Sequence, residues 1–289
     1  MCIISSKRSQ IKSFLIVFAI FFSVLNYAQA IDVMTFNIRL DNAGDKENSW
    51  TDGNRKERVA RFLKAEKPAI LGVQEALHHQ VEFLENAFPN YQRVGVGRDD
   101  GKQGGEHMAV FFDKKRFKLL DSGQFWLSQT PEVPSKGWDG TCCNRITTWL
   151  KLQQGDKVFF VFNTHFDHEG KVAQRESAYL ILSKIKEITA DLKANVILMG
   201  DFNVPPQHEG IVAIKKQLKD TYKSYKNIPK GTFTAFKLNE EPKQRIDFIF
   251  ISEGMQVKNY KIIDKKIDGL YPSDHFPVKV SVKFPNRKD

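Results

Sequence analysis

Residues 273–284 read Ser-Asp-His-Phe-Pro-Val-Lys-Val-Ser-Val-Lys-Phe. Phe276, Val278, Val280, Val282 and Phe284 alternate with Lys279, Ser281 and Lys283, and a period of two is what a strand converts into one apolar and one polar face. The stretch predicts a half-buried strand over 276–284, with an aspartate and a histidine standing immediately before it.

Working outward, further short runs rich in Val, Ile, Phe and Thr predict strands over 33–38, 69–74, 91–96, 108–112, 146–152, 158–164, 196–199 and 246–251. Helical spacing appears between some of them. Ala178, Ile181, Leu182, Ile185 and Ile188 form one apolar stripe on a helix expected over 171–192. Val59, Phe62 and Leu63 suggest a second helix, and residues 81–88 and 211–218 a third and fourth. Turns as short as Gln154-Gly155-Asp156 require antiparallel neighbours. The pattern is α/β or α+β, with more than one sheet. No linker or repeat interrupts it after residue 30, so one domain is the simpler expectation.

Composition agrees. Of 289 residues, 41% are apolar and 27% charged, which excludes disorder, collagen and coiled coil as the main architecture. Lys7, Arg8 and Lys12 precede an uncharged apolar run over 14–25 and the small-x-small triplet Ala28-Gln29-Ala30, the layout of a cleaved signal peptide. We expect residues 1–30 to be a signal peptide and the product to be exported, periplasmic or extracellular, with no membrane anchor after cleavage. Residues 31–289 carry 41 bases against 34 acids, spread along the chain without a dense basic cluster. Cys142 and Cys143 are the cysteines past residue 30, too few for a thiolate metal site or a disulfide framework, so stability must come from a core.

Polar residues recur where strands begin or end: Asn37, Glu75, His165, Asp201 with Asn203, Asp247, and Asp274 with His275. Singly, each has an ordinary use as a turn former, cap or hydrogen-bonded side chain. Jointly they form an oxygen-rich donor set with imidazole and no thiolate, which suits a hard cation such as Mg²⁺ or Mn²⁺. Phosphoester cleavage needs such a set, because an activated water, shielded nonbridging oxygens and a stabilised leaving group must be supplied together.

The strings GVQEA around Glu75, NTHFD around His165, MGDFN holding Asp201 and Asn203, RIDFI around Asp247 and SDHFPV at 273–278 resemble the endonuclease/exonuclease/phosphatase superfamily in content and order. The resemblance implies that residues 31–289 form a four-layer αββα sandwich of two mixed, largely antiparallel sheets, with the motif loops at one rim. It implies Glu75, Asp274 and Asn37 as metal ligands for one or two Mg²⁺ or Mn²⁺ ions. Asp201 would orient or deprotonate water, Asn203 would position water or phosphate, and His165 and His275 would grip nonbridging oxygens. Asp247 would hold the ring of His275, and Glu106 that of His165. Asn37, Arg145 and His168 are candidate substrate contacts, and Trp126 and Trp138 candidate stacking groups on a loop over 126–145. The expected partner is a phosphoester, either nucleic acid or a small phosphorylated molecule, and no obligate protein partner is implied. A non-catalytic phosphoester-binding protein on the same fold remains the alternative.

Overall fold

The computed structural model describes residues 30–190, 194–222 and 231–285. The expected signal peptide therefore lies, apart from Ala30, outside the described residues. Two six-stranded sheets form the centre. In spatial order the first holds β11 (Gln256–Ile262), β12 (Val278–Lys283), β1 (Ile31–Asn37), β2 (Ile70–Gln74), β4 (Val110–Asp113) and β3 (Tyr91–Val94). The second holds β5 (Lys118–Trp126), β6 (Ile146–Gln154), β7 (Lys157–His165), β8 (Asn195–Asp201), β10 (Asp247–Ile251) and β9 (Lys219–Asp220).

Each sheet contains one parallel pair, β1 with β2 and β7 with β8, and is otherwise antiparallel. Parallel neighbours need a crossover, which α1 (Arg55–Glu66) and α3 (Lys171–Thr189) supply. Two more helices, α2 (His78–Ala87) and α4 (Glu209–Lys215), complete the outer layers.

The alternation read from sequence sorts side chains into three large cores, beside a small cluster of Met108, Trp126 and Ile146. Val33, Ile70, Val110, Val161, Ile197, Met199 and Val280 fill the space between the sheets. Met34, Phe36 and Leu71 face outward against Val59, Phe62 and Leu84 of α1 and α2. Phe162, Leu198 and Phe250 face the other way, against Ile181 of α3 and Ile211 of α4. The layers are thus αββα. The unbroken apolar run 196–199 belongs to a strand covered on both faces. In β12 Val278, Val280 and Val282 point into the inter-sheet core, while Lys279 reaches out to Glu66.

Gly200 lets β8 approach β7, because a Cβ there would collide with the carbonyl oxygen of Thr164. Gly200→Ala is expected to lower stability by roughly 2–4 kcal/mol through overpacking against backbone. Denaturant unfolding checks this, and a loss under 1 kcal/mol would show that the strands can part at no cost.

Candidate active site

Both parallel pairs open on one rim. β1 ends at Asn37, Glu75 follows β2, β7 ends at His165 and β8 at Asp201. Asp247 opens β10 in register with Asp201, and Asp274 with His275 precedes β12. Three residues here adopt the left-handed backbone region that favours glycine: Arg39 (φ 61°), Glu75 (φ 61°) and Asn203 (φ 52°). Each costs about 1–2 kcal/mol relative to ordinary backbone, a strain that surrounding bonds must hold.

The Asn37 carboxamide joins the two sheets. Its Nδ2 donates to Glu75 Oε1 at 2.8 Å and to Asp201 Oδ2 at 3.0 Å, and its Oδ1 accepts from the Arg39 N–H at 3.0 Å. Asn37 therefore turns its amino group toward the carboxylates. Its oxygen takes one bond from the Arg39 backbone, and the second lone pair of that oxygen is left for the metal expected from the sequence. Glu75 Oε2 accepts from the Leu40 N–H at 3.2 Å.

Asp201 is the hub. Its Oδ2 lies 3.6 Å from His165 Nε2 and 3.7 Å from His275 Nε2, and its Oδ1 accepts from the Asn203 N–H at 2.9 Å. The Asn203 side-chain nitrogen donates to the Phe166 carbonyl at 3.0 Å and lies 2.9 Å from His165 Nε2, so that ring nitrogen is the acceptor. Asp247 Oδ2 sits 2.9 Å from His275 Nδ1, as the motif implied.

The two imidazoles are driven in opposite directions. Burial, then the Arg145 charge, pushes His165 down to about 3, leaving it neutral at neutral pH. Burial opposes a charge on His275, but Asp247 and Asp201 outweigh it and raise this ring well above its ordinary value. Burial, followed by the neighbouring Asp247 charge, raises Asp201. Burial raises Asp274 as well, against the pull of His275.

Two overlapping donor sets have ligand atoms within 4.8 Å of one another, Glu75 with His165 and Asp201, and Asp201 with Asp247 and His275. Asp247 Oδ1 is buried without a hydrogen-bond partner. Oxygen-dominated donors around an unsatisfied carboxylate oxygen fit a hard divalent cation. Asp274 lies outside both sets but shares a wall with Glu75, because the Arg39 guanidinium is 3.8 Å from each.

Other expectations fare differently. Glu106 is bound mainly to Arg98, at 2.8 Å, and stands 3.7 Å from His165 Nδ1. Arg145 is buried against His165, Asp167 and His168, whose Nδ1 it meets at 2.7 Å; His168 itself is half open. Trp126 is no exposed stacking group, being buried with its Nε1 donating to the Arg98 carbonyl. Cys142 and Cys143 pair with each other in the loop. Residues 97–104 close as a turn on Asp100 Oδ1, which accepts from the N–H groups of Lys102 and Gly104.

Sequence reading missed Arg39, two residues beyond Asn37, and Ser273, whose hydroxyl donates to the Asn37 carbonyl at 2.6 Å. It also missed Phe233, which is 41% exposed at the rim with its ring 5.0 Å from that of His275. The cue for Ser273 was its place beside Asp274; Phe233 offered none, standing alone in a loop.

Comparison with known proteins places this site in a class. Residues 34–275 match the endonuclease/exonuclease/phosphatase family model, so the chain belongs to that family of metal-dependent phosphoester hydrolases. A family protein from Bacteroides thetaiotaomicron is 38% identical, with 89% of this chain and 98% of that one covered and a TM-score of 0.83. A mannosyl-6-phosphatase from the same organism is also 38% identical, with 88% and 100% covered and a TM-score of 0.82. A probable RNA exonuclease from Saccharomyces cerevisiae is 26% identical over 209 residues, spanning 65% of this chain and 40% of that protein.

Asn37→Asp exchanges the bridging donor for a third carboxylate while keeping an acceptor for Arg39. Metal-free variant is expected to lose roughly 3 kcal/mol, as when one partner of a buried charged cluster is removed. Mn²⁺ should then raise its melting temperature more than it raises that of the wild type. Equal melting temperatures without metal would show that the bridge contributes nothing.

Proposed function

We propose that the chain is an exported phosphomonoesterase that uses Mg²⁺ or Mn²⁺ to hydrolyse a sugar phosphate. The observation that carries the phosphoester reading is the convergence of the Asn37 carboxamide and two imidazoles on Asp201 Oδ2, with Glu75 and Asp247 in the same donor sets. The sugar phosphate rests on the 38% likeness to a mannosyl-6-phosphatase over that protein's whole length. The exposed ring of Phe233 beside His275 supports it, offering a flat apolar face for a leaving group. Export rests on the signal-like pattern of residues 1–30. Among the described residues no helix is long and apolar enough to cross a membrane.

Glu75 and Asp274 would hold the cation, which when bound supplies charge neutralisation at phosphorus and at the departing oxygen. Asp201 orients the attacking water and takes its proton on Oδ2. Cationic His275, held by Asp247, donates to a nonbridging oxygen, and Asn203, whose amide hydrogens are already engaged, would position the attacking water through its carboxamide oxygen. Water then forms the new P–O bond in line with the breaking bond to the sugar oxygen, which leaves as the alcohol on taking a proton from solvent, while Asp201 returns its proton to solvent. His168, the open end of the Arg145 cluster, would meet the sugar.

A nucleic-acid phosphodiesterase is the second reading, favoured by the likeness to the yeast protein. A panel of single-stranded and double-stranded DNA, RNA, a generic diester and several sugar phosphates separates the two. We expect monoester turnover with Mg²⁺ or Mn²⁺, none with chelator, and about a 10³-fold lower kcat in Asp201→Ala, the scale of a lost general base. Turnover of nucleic acids alone defeats the sugar-phosphatase reading. Silence on every substrate would leave a binding protein.

A further inference from the structure

Arg39 is the cation that no motif announces. Its backbone is fixed from three sides: the N–H donates to Asn37 Oδ1 at 3.0 Å, and the carbonyl accepts from Gln80 Nε2 at 3.0 Å and Arg55 Nη1 at 3.2 Å. A left-handed conformation in a non-glycine residue needs such over-determination, and here it sets the direction in which the side chain leaves.

The guanidinium forks onto Asp45, with Nε 3.1 Å from Oδ2 and Nη2 3.2 Å from Oδ1. That fork holds it back from the metal carboxylates, which it approaches only to 3.8 Å: Nη1 to Glu75 Oε2, and Nε to Asp274 Oδ2. The side chain is 26% exposed, against 13% for Glu75 and 8% for Asp274, so it stands at the mouth of the pocket. Neighbouring arginines are otherwise engaged. Arg145 faces Asp167 and His168, Arg98 is bound to Glu106, and Arg55 donates to the carbonyls of Ile38, Arg39, Leu40 and Asn48.

A phosphomonoester differs from a diester in having a third nonbridging oxygen and nearly one further negative charge at neutral pH. A planar guanidinium at the mouth matches both. We propose that Arg39 grips the third nonbridging oxygen and so makes the site select phosphomonoesters over diesters. This rests on the phosphoesterase reading of the pocket and specifies its substrate class.

The test compares full-length wild type, Arg39→Gln and Arg39→Lys on mannose 6-phosphate, p-nitrophenyl phosphate and bis(p-nitrophenyl) phosphate. Arg39→Gln should lower kcat/KM for the monoesters about 10²-fold, the scale of a charge-assisted hydrogen bond pair, while the diester changes by less than about threefold. Arg39→Lys should recover part of the monoester loss. Mn²⁺ binding without substrate, followed by calorimetry, should be unchanged or tighter in Arg39→Gln, because a competing positive charge has gone. Weaker Mn²⁺ binding with monoester and diester falling together would make Arg39 a loop brace and overturn the inference. A wild-type monoesterase whose selectivity survives Arg39→Gln overturns this inference alone; a wild type that cleaves only diesters overturns it together with the sugar-phosphatase reading.

Discussion

One carboxamide spans the gap between the sheets at the point where the chemistry is assembled. Asn37 belongs to β1, Glu75 follows β2 of the same sheet, and Asp201 ends β8 of the other. Two carboxylates approaching without a cation repel each other, and a shared donor offsets part of that repulsion at short range. Directly below, Gln74 Nε2 donates across the same gap to Asn163 Oδ1 at 2.6 Å, and Asn163 Nδ2 returns to the carbonyls of Val73 and Ala109. Gly72 makes room, since a Cβ there would sit 2.8 Å from Asn163 Oδ1. An apolar interface would tolerate sliding, whereas these polar bonds form in one register only, and that register aligns the two rims.

The loops that finish the site are tied to the same frame by backbone contacts. Buried Arg55 collects carbonyls from the loop after β1 and lies 5.2 Å from the Trp50 ring, which fixes the Leu40 N–H against Glu75. On the opposite wall, residues 232–234 are zipped to 274–276. Thr234 N–H donates to the Asp274 carbonyl at 2.7 Å and Phe276 N–H to that of Thr232 at 2.6 Å. With Thr232 and Thr234 buried, Phe233 between them must point out. Its exposure is dictated by strand alternation, although the segment has no strand signature in sequence.

Much of this was legible beforehand, and the gaps have physical causes. Apart from the edge strand β3, the strands read from sequence are those with a buried apolar face, whereas β5, β9 and β11 were missed and all lie at sheet edges. Edge strands are half exposed and carry polar residues on both sides, and a bulge between Val257 and Asn259 breaks the alternation of β11. The acids and imidazoles were legible because they come in strings with strand ends. Trp126 was misjudged because composition cannot say which side of a loop faces inward, and here a hydrogen bond to the Arg98 carbonyl draws the ring in. Arg39 stayed hidden because its role depends on the direction of one side chain, fixed by a left-handed φ and by bonds to residues 6 to 41 positions away.

The opposed imidazoles explain how one buried pocket serves two roles. His165 and His275 each lie under 4 Å from the same oxygen of Asp201, so distance to that carboxylate does not distinguish them. What differs is the atom behind each ring. Behind His275 stands an aspartate at 2.9 Å, and behind His165 a guanidinium at 3.4 Å, nearer than the Glu106 carboxylate at 3.7 Å. The aspartate favours imidazolium on His275, and on His165 the guanidinium adds to burial in disfavouring it. The pocket thus favours an imidazolium on one side and a neutral ring on the other, an arrangement set by the partners buried beneath the rings. Replacing those partners would alter the chemistry without touching any group that meets phosphorus.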